Sequence, residues 1–242
     1  MEPIQWIVLG VGIILSGVCL YFANASYYRA GLIKDIPTSS IGSIKKPGYY
    51  EIKGQILCEQ PLELPEVKGK KLVWYDFRVE EKVKYWNSST KSYSHKWQTA
   101  EHRTDWCPLH LKDGSGQIML NLKEGEIEGE ELFSRTFHKQ QDLMSFIGNA
   151  FNIGFGGNVV AHRVTIYGIR ANSRLYVLGS CVKKREGLCF ADNSKEERPF
   201  IVSTKSEEDL VSSKQSSGIL LIVASLAIFI ITLIIVFKAL AG

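Results

Sequence analysis

The stretch from Lys71 to Trp86, KLVWYDFRVEEKVKYW, decides the reading of the chain, because its apolar residues recur at every second position. Val73, Tyr75, Phe77, Val79, Val83 and Tyr85 fall on one face, interrupted only by Glu81, which is the period of a strand with one side covered. Its length predicts one arm of a long hairpin. The tip falls in Asn87 to Tyr93, rich in Asn, Ser and Thr, and the returning arm runs from about His95 through Trp106. In that pairing Trp86 and Trp97 come close to opposite one another, as a cross-strand aromatic pair.

The same period continues outward on both sides. Upstream, after a turn-rich leader from Lys34 to Ser43, the run GYYEIKGQILCE from Gly48 points Tyr50, Ile52 and Ile56 one way and Glu51, Lys53 and Gln55 the other, with a bend at Gly54. Downstream, Pro108 to Lys112, the turn Asp113 to Gly116 and Gln117 to Leu122 read as a second hairpin. Strand signals resume at Ala161 to Ile169, Arg174 to Lys183, Gly187 to Ala191 and Phe200 to Ser203. About eight short antiparallel strands predict a mainly β domain, a small closed or half-closed antiparallel β-barrel.

One segment departs from that pattern. From Glu130 to Asn152, Leu132, Phe133, Phe137, Leu143, Phe146, Ile147, Ala150 and Phe151 recur at spacings of three and four, which predicts one amphipathic helix running into the glycine-rich loop Ile153 to Asn158. Its apolar face either caps one mouth of the barrel, or Phe146, Phe151 and Phe155 dip into a membrane or grip a partner.

The averages of the 242-residue chain look like those of a soluble protein: 45% hydrophobic, 22% charged and mean hydropathy near zero. They exclude a polytopic transporter, a disordered chain and a collagen-like repeat. The charge is unevenly spread, however, with no Asp, Glu, Lys or Arg between Glu2 and Arg29 or between Lys214 and Lys238. Ile4 to Ala23 and Gly218 to Phe237 are almost wholly apolar, and runs of that length reach about 30 Å as helices, the thickness of a hydrocarbon core. A cleaved signal peptide would need a basic start, and only the amino terminus and Glu2 precede the first run. A lipid-anchor signal at the other end fits less well than a stop-transfer helix followed by Lys238.

The expected organisation is therefore a transmembrane helix in residues 1–28, a β-rich domain in 29–213 and a second transmembrane helix in 214–242. Both termini then lie on the same side of the membrane. Arg29, Lys34, Lys45 and Lys46 after the first span, and Lys205 and Lys214 before the second, place the domain in the cytoplasm by the positive-inside rule. Gly12 and Ser16 form a small-residue pair in the first span through which two copies could associate as a homo-oligomer.

Cys58, Cys107, Cys181 and Cys189 lie in the domain, and the sequence leaves open whether they are free or paired. His95, His102, Cys107 and His110 are spaced unlike any zinc finger, so no metal and no cofactor are expected. Cys107 and His110, three apart in a strand, face opposite ways and make no nucleophile and base. Asp113 to Gly116 lacks the lysine and helix start of a phosphate loop and reads as a hairpin turn. A net charge of +4 is too small and dispersed for nucleic acid. Lys68, Lys70 and Lys71, with Lys45 and Lys46, are candidates to touch anionic headgroups.

This arrangement resembles the GIDE or BAM ("beside a membrane") domain family, of the MULAN-like RING-type E3 ubiquitin ligases. The resemblance is carried by the two flanking spans, GYYEIKGQI, PLELPEVKGKKLVWYDFRVEEKV, CPLHLKDGSGQIMLNL and RVTIYGIRANSRLYVLGSCVKKREG. It implies a domain held against the bilayer, and in the ligases a RING module with eight Cys/His zinc ligands. No Cys-x2-Cys pair occurs in the sequence, which stops five residues past its second apolar run, so the expectation is the membrane domain without the ligase module.

The expected function is thus an integral membrane protein with a membrane-apposed interaction or lipid-sensing domain, non-enzymatic by its residues, whose partners are the lipid bilayer and a protein of unidentified kind. The alternative, by resemblance, is an E3 ubiquitin-protein ligase or ligase accessory that takes its RING from a partner. A hydrolase using acidic and histidine side chains at the barrel mouth is a third reading.

Overall fold

Lys71 to Trp86 lie in one continuous strand, β3 (Lys71–Asn87), which returns as β4 (Ser92–Trp106) and pairs with it antiparallel along the hairpin. The structure is a computed structural model and describes residues 3–148, 156–185, 187–193 and 198–241. The turn is tighter than the polar tip suggests: Asn87 already pairs with Ser92, and the Asn87 side chain accepts hydrogen bonds from the Ser89 and Thr90 amides at 3.0 and 3.3 Å. Each residue spared in the turn slides the return arm, so Tyr93 rather than Trp97 stands opposite Trp86. Those two rings meet edge to face with centroids 5.2 Å apart, while Trp97 lies opposite Lys82.

On its other edge β3 pairs with β9 (Val159–Arg170), and β9 with β8 (Glu130–Phe137); β2 (Leu62–Glu63) takes the edge of β3 ahead of β4. Together these make a half-barrel. The strand β8 corrects the long helix expected over Glu130 to Asn152. Phe133 and Phe137 are four apart, a spacing that keeps two residues on one face in either period, so this pair could not separate helix from strand. Among the described residues of that stretch only Gln140–Ile147 is helical (α2), and it ends at Gly148, whose φ of 61° lies in the region glycine tolerates best. The apolar face of α2, Leu143 and Ile147, packs with Tyr75, Phe77, Val79, Val164 and Ile166 on the half-barrel. It therefore covers the half-barrel rather than a mouth of the closed barrel.

The closed barrel has five strands. β1 (Gly48–Leu57), β5 (Leu109–Lys112), β6 (Gln117–Leu120), β11 (Gly187–Phe190) and β10 (Arg174–Lys184) pair in that order, and β10 returns to β1. All contacts in the ring are antiparallel except β6 with β11. β12 (Ile201–Ser203) and β7 (Glu126–Glu128) extend the sheet beyond β10. Ile52, Ile56, Leu109, Leu111, Leu120, Val177 and Phe190 fill the interior. Near Gly54, β1 passes from β10 to β5, and a Cβ there would sit 2.6 Å from the Lys112 carbonyl oxygen. The expected bend is thus a close approach that only glycine allows. Leu72 to Phe77 of β3 are buried without interruption, because Val73 and Trp74 serve the barrel core and Leu72, Tyr75 and Phe77 the half-barrel core.

The termini form a second compact unit, Met1–Pro37 with Lys205–Gly242, while the β domain is Thr38–Thr204. α1 (Pro3–Asp35) and α3 (Glu207–Ala241) are each long and apolar enough to cross a membrane. They run antiparallel, with Ser16 against Ser225, Gly12 against Thr232 and Gly218 against Tyr27. α3 starts earlier than its apolar run. Ser206 caps it, accepting from the Asp209 amide at 3.1 Å and donating to the Asp209 carboxylate at 2.8 Å. α1 likewise continues past Lys34, into what reads as a leader in the sequence.

Candidate functional site

Alternation along β3 places Asp76, Arg78, Glu80, Lys82, Lys84 and Trp86 on one face, and the register of β4 adds Tyr93, His95, Trp97 and His102 to it. This face changes character along its length. At the base, ion pairs lock it: Arg78 grips Asp76 with two hydrogen bonds of 2.7 and 2.8 Å, and His102 reaches the same carboxylate at 3.2 Å. Burial works to raise the Asp76 carboxyl, but the bonds from Arg78 and His102 outweigh it and hold it below the usual carboxylate range. One step further, Arg163 of β9 bonds Glu80 at 2.8 Å and lies 4.5 Å from the Trp97 ring centre.

Towards the tip the carboxylates stop. Between Glu81 and Glu101 the sequence has Lys82, Lys84, Lys91 and Lys96 together with Tyr85, Trp86, Tyr93 and Trp97, and no acid. Lys84 lies 4.2 Å from the Tyr93 ring centre, Lys82 5.9 Å from Trp97, and Lys96 5.9 Å from Tyr85 on the opposite face. Each such contact is worth about 0.5–1 kcal/mol at an exposed site and keeps the ammonium over a ring instead of beside a carboxylate. Trp86 and Tyr93 are 57% and 60% exposed. β9 accompanies β3 as far as Val83, with one more bond from the Lys84 amide to the Asn158 carbonyl, and among the described residues the rest of the hairpin is a two-stranded ribbon.

Other polar groups are turned inward. Glu51, read from the sequence as solvent-facing, is fully buried: its carboxylate accepts from Tyr176 at 2.8 Å and from the Thr38 hydroxyl, and Lys53 lies 3.2 Å away. Glu81, the interruption in the alternating run, bonds Gln98 and stands 4.0 Å from the buried ring of His162. Burial pushes the His162 imidazole down, against the pull of Glu81. In the Asp113 turn, burial opposes ionisation, yet Ser115 donates through both its hydroxyl and its amide, and Ile41 and Gly116 donate through their amides; the carboxyl falls to about 2. Those amides point at the protein's own carboxylate and leave no cradle for a phosphate.

His102 is engaged by Asp76 on the half-barrel, Cys107 contacts Cys58, and His110 sits on β5 in the barrel; among the described residues no three His, Cys, Asp or Glu converge as metal ligands. The family model GIDE, described as an E3 ubiquitin ligase, matches residues 80–237, more than half of the chain. The chain belongs to the GIDE family. No curated protein and no solved structure matches it. The match to the GIDE family begins within β3, takes in the distal hairpin and the rest of the β domain, and ends within α3.

In this GIDE protein the contact residues expected from the sequence are distributed as follows. Phe146 stacks on Phe133 with centroids 4.2 Å apart and is half-buried, so it serves the half-barrel core. Phe151 and Phe155 lie outside the described residues. Lys45 and Lys46 are exposed just ahead of β1; Lys68 is exposed in the turn before β3 and Lys71 at the first position of β3, and between them Lys70 donates to the Leu132 carbonyl at 3.4 Å. Lysines taken one at a time do not mark the distal hairpin as a surface; the sequence signal for it is the acid-free interval from Lys82 to Ala100.

Proposed function

We propose that the GIDE protein is an integral membrane protein whose β domain contacts anionic lipid headgroups through the distal β3–β4 hairpin. The observation that carries this is the hairpin's composition and exposure: four lysines and four aromatics with no carboxylate, ending in the exposed Trp86–Tyr93 pair. Trp and Tyr favour the headgroup layer, and each lysine near an anionic surface contributes about 1 kcal/mol. α1 and α3 bracket the domain in sequence, so a bilayer crossed by them is a tethered ligand at high effective concentration. Lys45, Lys46, Lys68, Lys70 and Lys71 are proposed as further cations of this contact. The lysine and arginine bias around the spans favours the cytoplasmic side for the domain. A contact between copies would use helix faces other than that of Gly12 and Ser16, which α3 of the same chain covers.

The test reconstitutes the full chain in vesicles with and without phosphatidylserine and compares it with Trp86→Phe. Contact predicts that the emission lost on substitution is blue-shifted and quenched by brominated lipid only when phosphatidylserine is present. Trp86 emission that ignores lipid composition rejects the proposal.

The family match favours a second reading, a ligase accessory. These 242 residues hold no Cys-x2-Cys pair, so in this reading the zinc ligands of a RING lie outside them. Ubiquitin chains formed with a conjugating enzyme and a RING partner, but not with the RING partner alone, support it; identical yields dismiss it.

A further inference from the structure

Cys58 and Cys107 stand 49 positions apart in sequence, yet their sulfurs are 2.9 Å apart in the structure. Cys58 follows the end of β1, and Cys107 lies between β4 and β5, fixed by the hydrogen bond from its amide to the Val73 carbonyl at 3.0 Å. The two sulfurs differ in access. Cys107 is buried, whereas Cys58 is half-buried and lines a cleft of about 630 Å³ with Glu59, Gln60, Pro108, His110 and Gln117. The other two cysteines of the domain are placed differently. Cys181 pairs with Phe190 and faces the barrel interior, while Cys189 pairs with Val182 and faces the other way, so the strand register keeps their side chains on opposite sides of the wall.

We propose that Cys58 and Cys107 are a modification site, a dithiol that exchanges with a disulfide of the glutathione class. The accessible Cys58 thiolate attacks one sulfur of the glutathione disulfide, that S–S bond breaks, and one glutathione leaves and takes up a proton. Cys107 sulfur then attacks Cys58 sulfur in the mixed disulfide, its proton goes to the second departing glutathione, and a Cys58–Cys107 bond remains. Two protein thiols are oxidised to one disulfide and one glutathione disulfide is reduced to two glutathiones. Burial, then the neighbouring Cys58, pushes the Cys107 thiol up to about 12, which keeps it protonated at neutral pH and leaves entry to Cys58. The bond would close the chain around β2, β3 and β4, fastening the base of the long hairpin.

The experiment equilibrates the full chain in detergent with mixtures of oxidised and reduced glutathione, blocks remaining thiols with N-ethylmaleimide after denaturation, and maps peptides without reduction. The expected result is a linked peptide joining Cys58 to Cys107 whose share rises with the oxidised fraction, while Cys181 and Cys189 stay alkylated. Cys107→Ser is expected to stop at glutathione bound to Cys58. The proposal is overturned if Cys58 and Cys107 are separately alkylated at every ratio, or if links to Cys181 or Cys189 form equally well. Cys189→Ser, which leaves the pair intact, should reproduce the wild-type titration, and the wild-type map decides alone if Cys107→Ser does not fold.

Discussion

Ser16 and Ser225 exchange hydrogen bonds, each hydroxyl donating to the other residue's backbone carbonyl, at 3.3 Å from Ser16 and 3.1 Å from Ser225. The exchange ties α1 to α3 where both are otherwise apolar, and it explains why two small polar residues sit buried in uncharged runs. Hydrogen bonds between apolar helices average about 0.6 kcal/mol each. Ser16→Ala with Ser225→Ala is therefore expected to cost about 1 kcal/mol, read as a lower midpoint when the full chain in mild detergent is titrated with dodecyl sulfate. Gly12→Leu should cost more, because a Cβ at Gly12 already overlaps Thr232; a midpoint unchanged by Gly12→Leu would contradict this packing.

The Asp113 and Asp76 carboxyls are both held below their ordinary values, Asp113 at about 2. A depressed folded-state value adds stability that is present above the unfolded value, about 3.9, and is lost as pH falls through the folded one. Stability to denaturant should therefore decline between about pH 4 and pH 2. Asp113→Asn is expected to be less stable than wild type at neutral pH, with the gap closing at the acid end of that window; a gap that persists there contradicts the assignment.

His162 gives a separate window at milder pH. Its imidazole is pushed down by burial, so the folded protein resists a proton that the unfolded chain accepts below about pH 6.5. The stability it protects is present above that value and falls as pH drops beneath it. His162→Leu is expected to flatten the pH dependence just below about pH 6.5 without abolishing the separate loss below about pH 4. Denaturant midpoints at half-unit intervals separate the two limbs.

Cys107 acts at the alkaline end. A thiol raised to about 12 contributes stability that is complete below the unfolded value of about 8.5 and is lost as pH climbs towards the folded one. Cys107→Ala should remove that alkaline decline under reducing conditions, and an unchanged slope above pH 9 would show that another group titrates there.

The core makes a sharper prediction. Phe77 is fully buried between β9 and α2, and truncation to alanine at such a site costs about 3–5 kcal/mol. Gly54→Ala is expected to destabilise as well, because its Cβ meets the backbone oxygen of Lys112 and neither strand can move without opening the barrel. Trp86→Ala, at the exposed end of the hairpin, should leave the thermal midpoint nearly unchanged. That contrast separates a residue that holds the fold from one kept for a surface.

Much of the fold was legible because period-two alternation is a direct record of one-sided burial. β1, β3, β4, β5, β6, β9 and β10 fall where the pattern put them, and the two charge-free runs became α1 and α3. The failures have physical causes. Phe133 and Phe137 fit helix and strand equally, and the pairing of β8 with β9 decided between them. The partner of Trp86 depended on a turn length that a run of Ser, Thr and Asn does not fix. Glu51 reads as a surface acid because nothing in its local sequence announces Tyr176, which lies 125 positions away. For the candidate site, the sequence marked scattered lysines singly, whereas the telling quantity was the absence of carboxylates along a segment whose exposure only the three-dimensional arrangement reveals.

Beyond Lys84 the two arms of the hairpin pair with each other and, among the described residues, with no third strand. Residues could be added to or removed from the arms in matched pairs without disturbing a barrel strand, each pair changing the reach by about 3.3 Å. Hairpin length is thereby uncoupled from the barrel behind it, and a ruler of adjustable span is a simple way for one scaffold to meet surfaces at different distances.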